Sequence, residues 1–499
     1  MIHTLADIYT DIIKGKPLPK IGIASFGVLE LNTIKKWTVL LNDSGIKHGD
    51  RLLILAEPNL ETVAVMLVAW HKGAVVCPLP PDTQKHNLNV IAQDCNARFI
   101  INAVDNVIID TSIERCNKGN IISYRTPPKV TGVDLALIIY TSGSTGSPKG
   151  IMLSHSNVLS AVRSISTYLH LTPEDSILSV PPLYFDYGLY HLFFSCFVGC
   201  DVVFAPSGTN PMKMMKYIHD ATPSILPLVP ALAVGLVKIA KALKKQFSSV
   251  RLITNTGGHL PASTINGLKE IFPNAEIMPM YGLTESKRVM FNTPEFVSQY
   301  PESCGKAMPG IEAKIFVEET IDAEIKYREA NTDEIGELWV RGSSVMQNYT
   351  TGNSTAGCRL IEGKYRDDNW LATGDLFSVN IEGFFFFKGR EKELVKQAGF
   401  CLYPRDIEAS IESLEHIDDC TVIGTVDESG DEMACLFIRT EKNISRQGVK
   451  EWISNILDAP YIPKRIEFIK EWPLSANGKV DKKQLKALLN KEMSLGKQV

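Results

Sequence analysis

The stretch Leu135-Ala-Leu-Ile-Ile-Tyr-Thr-Ser-Gly-Ser-Thr-Gly-Ser-Pro-Lys-Gly150 passes from an apolar run directly into a loop of glycines and hydroxyls. The apolar half fits a buried strand, and the polar half ends it. Gly143, Gly146 and Gly150 let the backbone turn sharply and aim N–H groups at an anion. Thr141, Ser142, Ser144, Thr145 and Lys149 add further donors. This is a phosphate cradle. It is not a Walker A loop, which needs Gly-Lys-Ser/Thr; here Pro148 precedes Lys149 and Gly150 follows it.

Outward from this loop, short apolar runs alternate with helical stretches. Arg51-Leu-Leu-Ile-Leu reads as a strand, Asn59 as the cap of a helix over Leu60–Lys72, and Gly73 as its stop before Ala74-Val-Val-Cys-Pro. Asp201-Val-Val-Phe, Ser224-Ile-Leu-Pro-Leu-Val and Val250-Arg-Leu-Ile-Thr repeat the pattern, which predicts mixed βα layers. From about Ile311 to Arg341 the texture changes to alternating strands with Gly and Asp turns. Beyond Gly389-Arg-Glu-Lys392 come helices over Pro404–Glu415 and Ser445–Leu457 and strands over Cys420–Val426 and Met433–Arg439. The expected fold is therefore α/β: a large N-terminal domain (1–388) of several subdomains, one of them β-rich, and a small mobile α+β domain (389–499).

Composition sets limits on function. With 52 basic and 56 acidic side chains in 499 residues, the formal net charge is −4. A chain this weakly acidic has no long-range pull on nucleic acid or anionic lipid, so no nucleic-acid partner is expected. No apolar run reaches the roughly 18 residues of a membrane span, and no signal peptide is visible at the start. The ten cysteines lack any Cys-x-x-Cys pair and read as reduced thiols in a cytoplasmic protein.

With its loop, the chain resembles the superfamily of AMP-forming adenylate enzymes: acyl-CoA synthetases, peptide-synthetase adenylation domains and luciferase-like proteins. The motifs follow in that superfamily's order along nearly the whole chain. After Thr141–Gly150 come Tyr281-Gly-Leu-Thr-Glu-Ser286, Gly336-Glu-Leu-Trp-Val-Arg-Gly342 and Thr373-Gly-Asp375, then Gly389-Arg390 with Lys392, Lys396 and Gly399, and last Pro473-Leu-Ser-Ala-Asn-Gly-Lys479.

The resemblance implies roles. An acid carboxylate attacks the α-phosphate of ATP and pyrophosphate leaves, so cations and oriented donors do most of the catalysis. Thr284 would contact the α-phosphate and Glu285 would hold Mg²⁺, a hard cation that takes oxygen ligands. Tyr281 would stack on adenine, with Gly257, Gly258 and Gly282 allowing close approach of the backbone. Asp375 and Arg390 would reach the ribose. Lys479 would enter the site for adenylation, and a hinge at Lys392 would then present the Lys396–Gly399 loop to an incoming thiol.

For the acid, Asp186, Tyr187, Tyr190, Thr256, Met280 and Arg288 are the candidate substrate-binding residues. Asp186 occupies the position where peptide-synthetase domains bind a substrate ammonium, or else it caps the following helix. Arg288 faces the acyl pocket, pairs with Asp186, or lies on a solvated face. Leu283 and Trp370-Leu-Ala-Thr-Gly-Asp375 are more similar to the acyl-CoA ligases. The expected activity is that of a stand-alone acid–thiol ligase for a small carboxylic or amino acid. Its acceptor would be CoA or a phosphopantetheinyl carrier protein; the alternative is an amino-acid adenylation enzyme loading such a carrier.

Overall fold

The computed structural model describes residues 2–24, 27–111, 129–142, 148–322, 324–350, 358–363, 368–397, 400–412, 414, 417–427, 431–440, 442, 444–474 and 480–495. The chain divides into two compact units. The first comprises Met1–Pro301, Gly305–Ala313 and Val340–Ala372; the second comprises Glu302–Cys304, Lys314–Trp339 and Thr373–Val499.

The first unit is built on two sheets. In one, parallel strands lie in the order Ile21–Ile23, Asp201–Phe204, Ser176–Ser179, Ile225–Leu228, Leu252–Asn255 and Glu276–Tyr281. Ile225–Leu228 and Leu252–Asn255 are buried at every position; the first therefore reads as an unbroken apolar run, while the second carries Thr254 and Asn255, whose side chains are hydrogen-bonded to Tyr187 Oη and the Leu228 carbonyl. Helices Pro211–Ala221, Pro230–Ala242 and Ala262–Ile271 pack Met214, Leu236 and Leu268 against this sheet. Each fully buried side chain of this size contributes about 1.5–3 kcal/mol.

The second sheet runs Asn348–Tyr349, Pro148–Ser154, Leu135–Ser142, Val75–Leu79, Arg51–Leu55, Phe99–Asn102 and Val107–Asp110. Its helix Leu60–His71 starts where expected, because the Thr62 N–H donates to Asn59 Oδ1 at 2.7 Å. Gly73, with φ +70°, lets the chain turn back into Val75–Leu79.

In the second unit, antiparallel strands follow the order Glu324–Glu329, 314–321, 336–339, 373–379 and Phe385–Arg390, the middle three being the parts of Ile311–Ile321, Gly336–Gly342 and Asn369–Val379 that fall within it. A separate three-stranded sheet, Asp419–Val426, Glu432–Arg439 and Arg465–Phe468, carries helices Pro404–Glu412 and Arg446–Ser454 on a core that includes Ile407, Leu436 and Ile453. The β-rich segment expected from the sequence thus groups with the C-terminal part. Residues 388 and 389 fall inside this unit, just before the 3₁₀ turn Glu391–Glu393 that contains Lys392. Among the described residues, no helix is long and apolar enough to cross a membrane.

Candidate active site

The loop that opened the sequence reading joins two antiparallel strands, with Thr141 opposite Lys149 and Tyr140 opposite Gly150. Gly143, Ser144, Thr145 and Gly146 lie outside the described residues, as does the Ser142 side chain. The base of the loop is tied down by Asp94. Its Oδ2 accepts hydrogen bonds from the Tyr140 hydroxyl and from Thr350 Oγ1, the latter at 2.5 Å. Gly150 sits inside this clasp: a Cβ there would lie 2.7 Å from Thr350 Cγ2 and 2.8 Å from Tyr140 Cζ, so only glycine fits.

Tyr349, which the sequence reading passed over, connects two motifs. Its strand pairs with the loop's outgoing strand, Tyr349 opposite Ile151. Lys149 Nζ lies 5.8 Å from the Tyr349 ring centroid, and the Tyr349 hydroxyl donates to Glu285 Oε1 at 2.8 Å. The Met346 N–H adds a bond to the Glu285 carbonyl oxygen at 2.7 Å. Burial and the Glu285 charge both push the Tyr349 phenol pKa up, so the hydroxyl remains a donor.

Glu285 belongs to a tight turn after the strand Glu276–Tyr281. The N–H groups of Ser286 and Lys287 both donate to the Leu283 carbonyl, and Lys287 adopts a left-handed φ of +67°. Gly282 is required beneath it, because a Cβ would lie 2.3 Å from the Lys287 carbonyl oxygen. Tyr281, Thr284 and Glu285 are half-buried along this turn, whereas Lys287 and Arg288 point inward and are buried.

Asp186 is the first residue of the helix Asp186–Val198, whose cap is Phe185, so it does not cap that helix. Its carboxylate already has a protein partner. Lys287 Nζ lies 3.2 Å from Asp186 Oδ2 and donates to the Asp186 carbonyl oxygen at 2.7 Å. The protein partner of Asp186 is thus Lys287, whose left-handed turn swings its side chain inward, and not Arg288, which bonds elsewhere. The ammonium also lies 4.2 Å from the Tyr190 ring centroid. Burial pushes the Lys287 pKa down to about 7, against the pull of Asp186 and with a further fall from Arg288. Arg288 donates through Nη1 to the Lys287 carbonyl at 2.8 Å and stacks 4.9 Å from the Tyr187 centroid.

A small cavity of about 10 Å³ lies here, lined by Tyr187, Tyr190, Met280 and Arg288, and also by His191, Thr254 and Lys287, which the sequence reading did not single out. Thr256 is buried but does not line it. His191 is held by Ser179 Oγ at 2.8 Å from its Nδ1, and burial drives its pKa well below the ordinary value. Gly257 and Gly258 follow the strand Leu252–Asn255, where Gly257 has φ +89°.

In the second unit, Asp375 and Arg390 face each other across paired strands, with Arg390 Nε 3.2 Å from Asp375 Oδ1. Asp375 is buried and Arg390 is exposed. The Gly374 N–H donates to Glu337 Oε1 at 2.8 Å, and the Asp375 N–H to Thr373 Oγ1 at 3.1 Å, which fixes the carboxylate-bearing turn. Lys396 sits on the strand Val395–Gln397, while Gly399 and Lys479 lie outside the described residues. Leu474 and Val480, which flank the Lys479 segment, form an antiparallel bridge.

Residues 35–350 match the family model described as AMP-binding enzyme, and residues 406–479 match the AMP-binding enzyme C-terminal domain. The chain is 30% identical over 415 residues to 4-coumarate–CoA ligase-like 4 of Oryza sativa subsp. japonica, covering 82% of this chain and 72% of that protein. It is 26% identical over 443 residues to bacitracin synthase 1 of Bacillus licheniformis, covering 88% of this chain but 8% of that protein. The ATP-bound crystal structure of MatB from Rhodopseudomonas palustris has the same fold, with a TM-score of 0.80 at 23% identity over 98% of this chain and 99% of that one.

Proposed function

Because the chain belongs to the AMP-binding enzyme family, the AMP-forming acid–thiol ligases, we propose that it activates a small carboxylic or amino acid with MgATP and passes the acyl group to CoA. One carboxylate oxygen attacks the α-phosphorus, the bond to pyrophosphate breaks, and the incoming thiol then displaces AMP from the acyl carbon. The observation that carries this reading is the Tyr349 link, which places a loop cation, Lys149, and a carboxylate, Glu285, on one ring from two separate motifs.

In this proposal Thr141, Ser142, Gly143, Ser144, Thr145, Gly146 and Lys149 hold the leaving phosphates, and Thr284 contacts the α-phosphate. Among the described residues no group of three or more His, Cys, Asp or Glu side chains could hold a metal. A single protein carboxylate suits Mg²⁺ that arrives with the triphosphate, since Mg²⁺ is commonly held by one or two carboxylates plus phosphates and water; Glu285 would hold it. Asp375 accepts from the ribose hydroxyls with Arg390 beside it, and Tyr281 stacks on the base next to Gly257, Gly258 and Gly282. Lys479 supplies the cation for adenylation, and Lys392 is the pivot between half-reactions. A cytoplasmic location is part of the proposal, supported by nine free thiols among the described residues.

The second reading, an amino-acid adenylation enzyme that loads a carrier protein, is favoured by the similarity to bacitracin synthase 1. The Lys287–Asp186 pair counts against it, because the carboxylate that would anchor a substrate ammonium is engaged. Acid-dependent pyrophosphate release, followed by mass spectrometry of the product with CoA or with carrier proteins, separates the two. A product found only on a carrier protein would select the second reading.

A further inference from the structure

The cluster beside the small cavity has an unequal charge count. Asp186, Lys287 and Arg288 are 6%, 2% and 4% exposed, so one carboxylate faces two cationic side chains away from water. Buried charges are tolerated when each is paired and hydrogen-bonded. Asp186 takes Lys287. Arg288 gives one bond to a backbone carbonyl and rests on the Tyr187 ring, while its Nε is buried and meets no acceptor among the described residues. A guanidinium is donor-only, and its fork matches an oxyanion.

We propose that Lys287 and Arg288 form the anion-recognising wall of the acyl site, and that the acid activated is short and carries a second anionic group besides the carboxylate that is adenylated. This inference rests on the ligase reading above. Geometry sets the size. The cavity, at about 10 Å³, has room for about one water-sized group beside Arg288. Glu285 and Arg288 are three residues apart along one chain, so their Cα atoms lie within about 11 Å of each other. Although Ile165, Leu169, Phe194 and Ile225 also line it, the cavity is too small for a long alkyl chain, and a substrate ammonium would add a third cation. An oxyanion there supplies the missing acceptor for Nε and balances the cluster.

The test is pyrophosphate release by the full-length protein with MgATP and matched pairs of acids: malonate against propanoate, succinate against butanoate, glutarate against pentanoate, and phthalate against benzoate. At least one diacid is expected to exceed its monoacid in kcat/KM by about 10- to 150-fold, the range for a charge-assisted hydrogen bond. Arg288→Met should bring that ratio close to one, mainly through a raised KM, and Arg288→Lys, which keeps the charge and a native-like volume, should hold it at an intermediate value. Thermal melts of both variants separate loss of recognition from loss of fold. Release with monoacids preferred in every pair overturns the inference and leaves the ligase reading standing. A diacid preference that survives both substitutions overturns the assignment to Arg288. No release with any acid overturns the inference and the ligase reading together.

Discussion

The Tyr349 hydroxyl donates to Oε1 of Glu285 at 2.8 Å while its ring lies beneath the Lys149 ammonium. One aromatic side chain thereby fixes the orientation of a carboxylate and the position of a cation from different stretches of sequence. Tyr349→Phe keeps the ring and removes the donor. The expected result is a fall in kcat for pyrophosphate release of about 10-fold or more, as for a lost hydrogen bond to a charged group. Half-maximal activity should also need more Mg²⁺, because Glu285 loses its orientation. Unchanged Mg²⁺ dependence in this variant would assign Tyr349 to packing alone.

The Lys287–Asp186 pair predicts a stability effect that depends on pH. Removing one partner of a buried pair leaves the other charge uncompensated, at a cost of about 3–5 kcal/mol. With Lys287 held near 7 by burial, the cost of Asp186→Asn is expected to be largest below pH 7, where the ammonium is charged. It should shrink above pH 7, where Lys287 can shed its proton. Combining Asp186→Asn with Lys287→Met should recover most of the loss. Urea unfolding at pH 6 and pH 8 measures all three terms, and a cost independent of pH with additive substitutions would argue against the pair.

A second ion pair gives a stability effect at acid pH. Burial pushes the Asp175 pKa up, but hydrogen bonds from Arg251, Thr172 and Ser224 outweigh it and hold the carboxyl below its ordinary 3.8. Arg251 grips both oxygens, Nε to Oδ1 at 2.8 Å and Nη2 to Oδ2 at 2.6 Å. A depressed carboxylate pKa contributes stability above the unfolded value and loses it as pH falls through the folded one. Asp175→Asn is therefore expected to cost up to about 1 kcal/mol of charge stabilisation at pH 7, discounted because Arg251 is partly exposed. The difference from wild type should shrink as the pH falls below 3.8 and through the lowered folded-state value. Denaturant unfolding across that range checks it; a gap that persists at low pH would point to lost hydrogen bonding instead of charge.

Much of the fold was legible because its signals are local. Asn59 caps its helix, and Gly73 turns the chain back into the next strand, both from residues within one turn of the boundary. Helix ends were less sharp: the stretch expected over Ser445–Leu457 is helical over Arg446–Ser454. The site was legible wherever a motif kept its residues together, as in Tyr281–Glu285. What escaped notice depends on distant contacts. Lys287 meets Asp186 across 101 positions of chain and Tyr349 meets Glu285 across 64, and neither separation leaves a periodic trace. Lys287 also adopts a left-handed backbone that sequence patterns assign to Gly or Asn, so nothing marked it as inward-facing.

An acyl-adenylate intermediate is tested most directly by following one oxygen atom. An acid that supports pyrophosphate release is labelled with heavy oxygen in its carboxylate and converted to its CoA thioester by the full-length protein, and the nucleotide product is weighed by mass spectrometry. If the carboxylate attacks the α-phosphorus and the thiol then cleaves the acyl C–O bond, the AMP carries one labelled oxygen. Unlabelled AMP, or ADP and phosphate in place of AMP and pyrophosphate, would contradict the account.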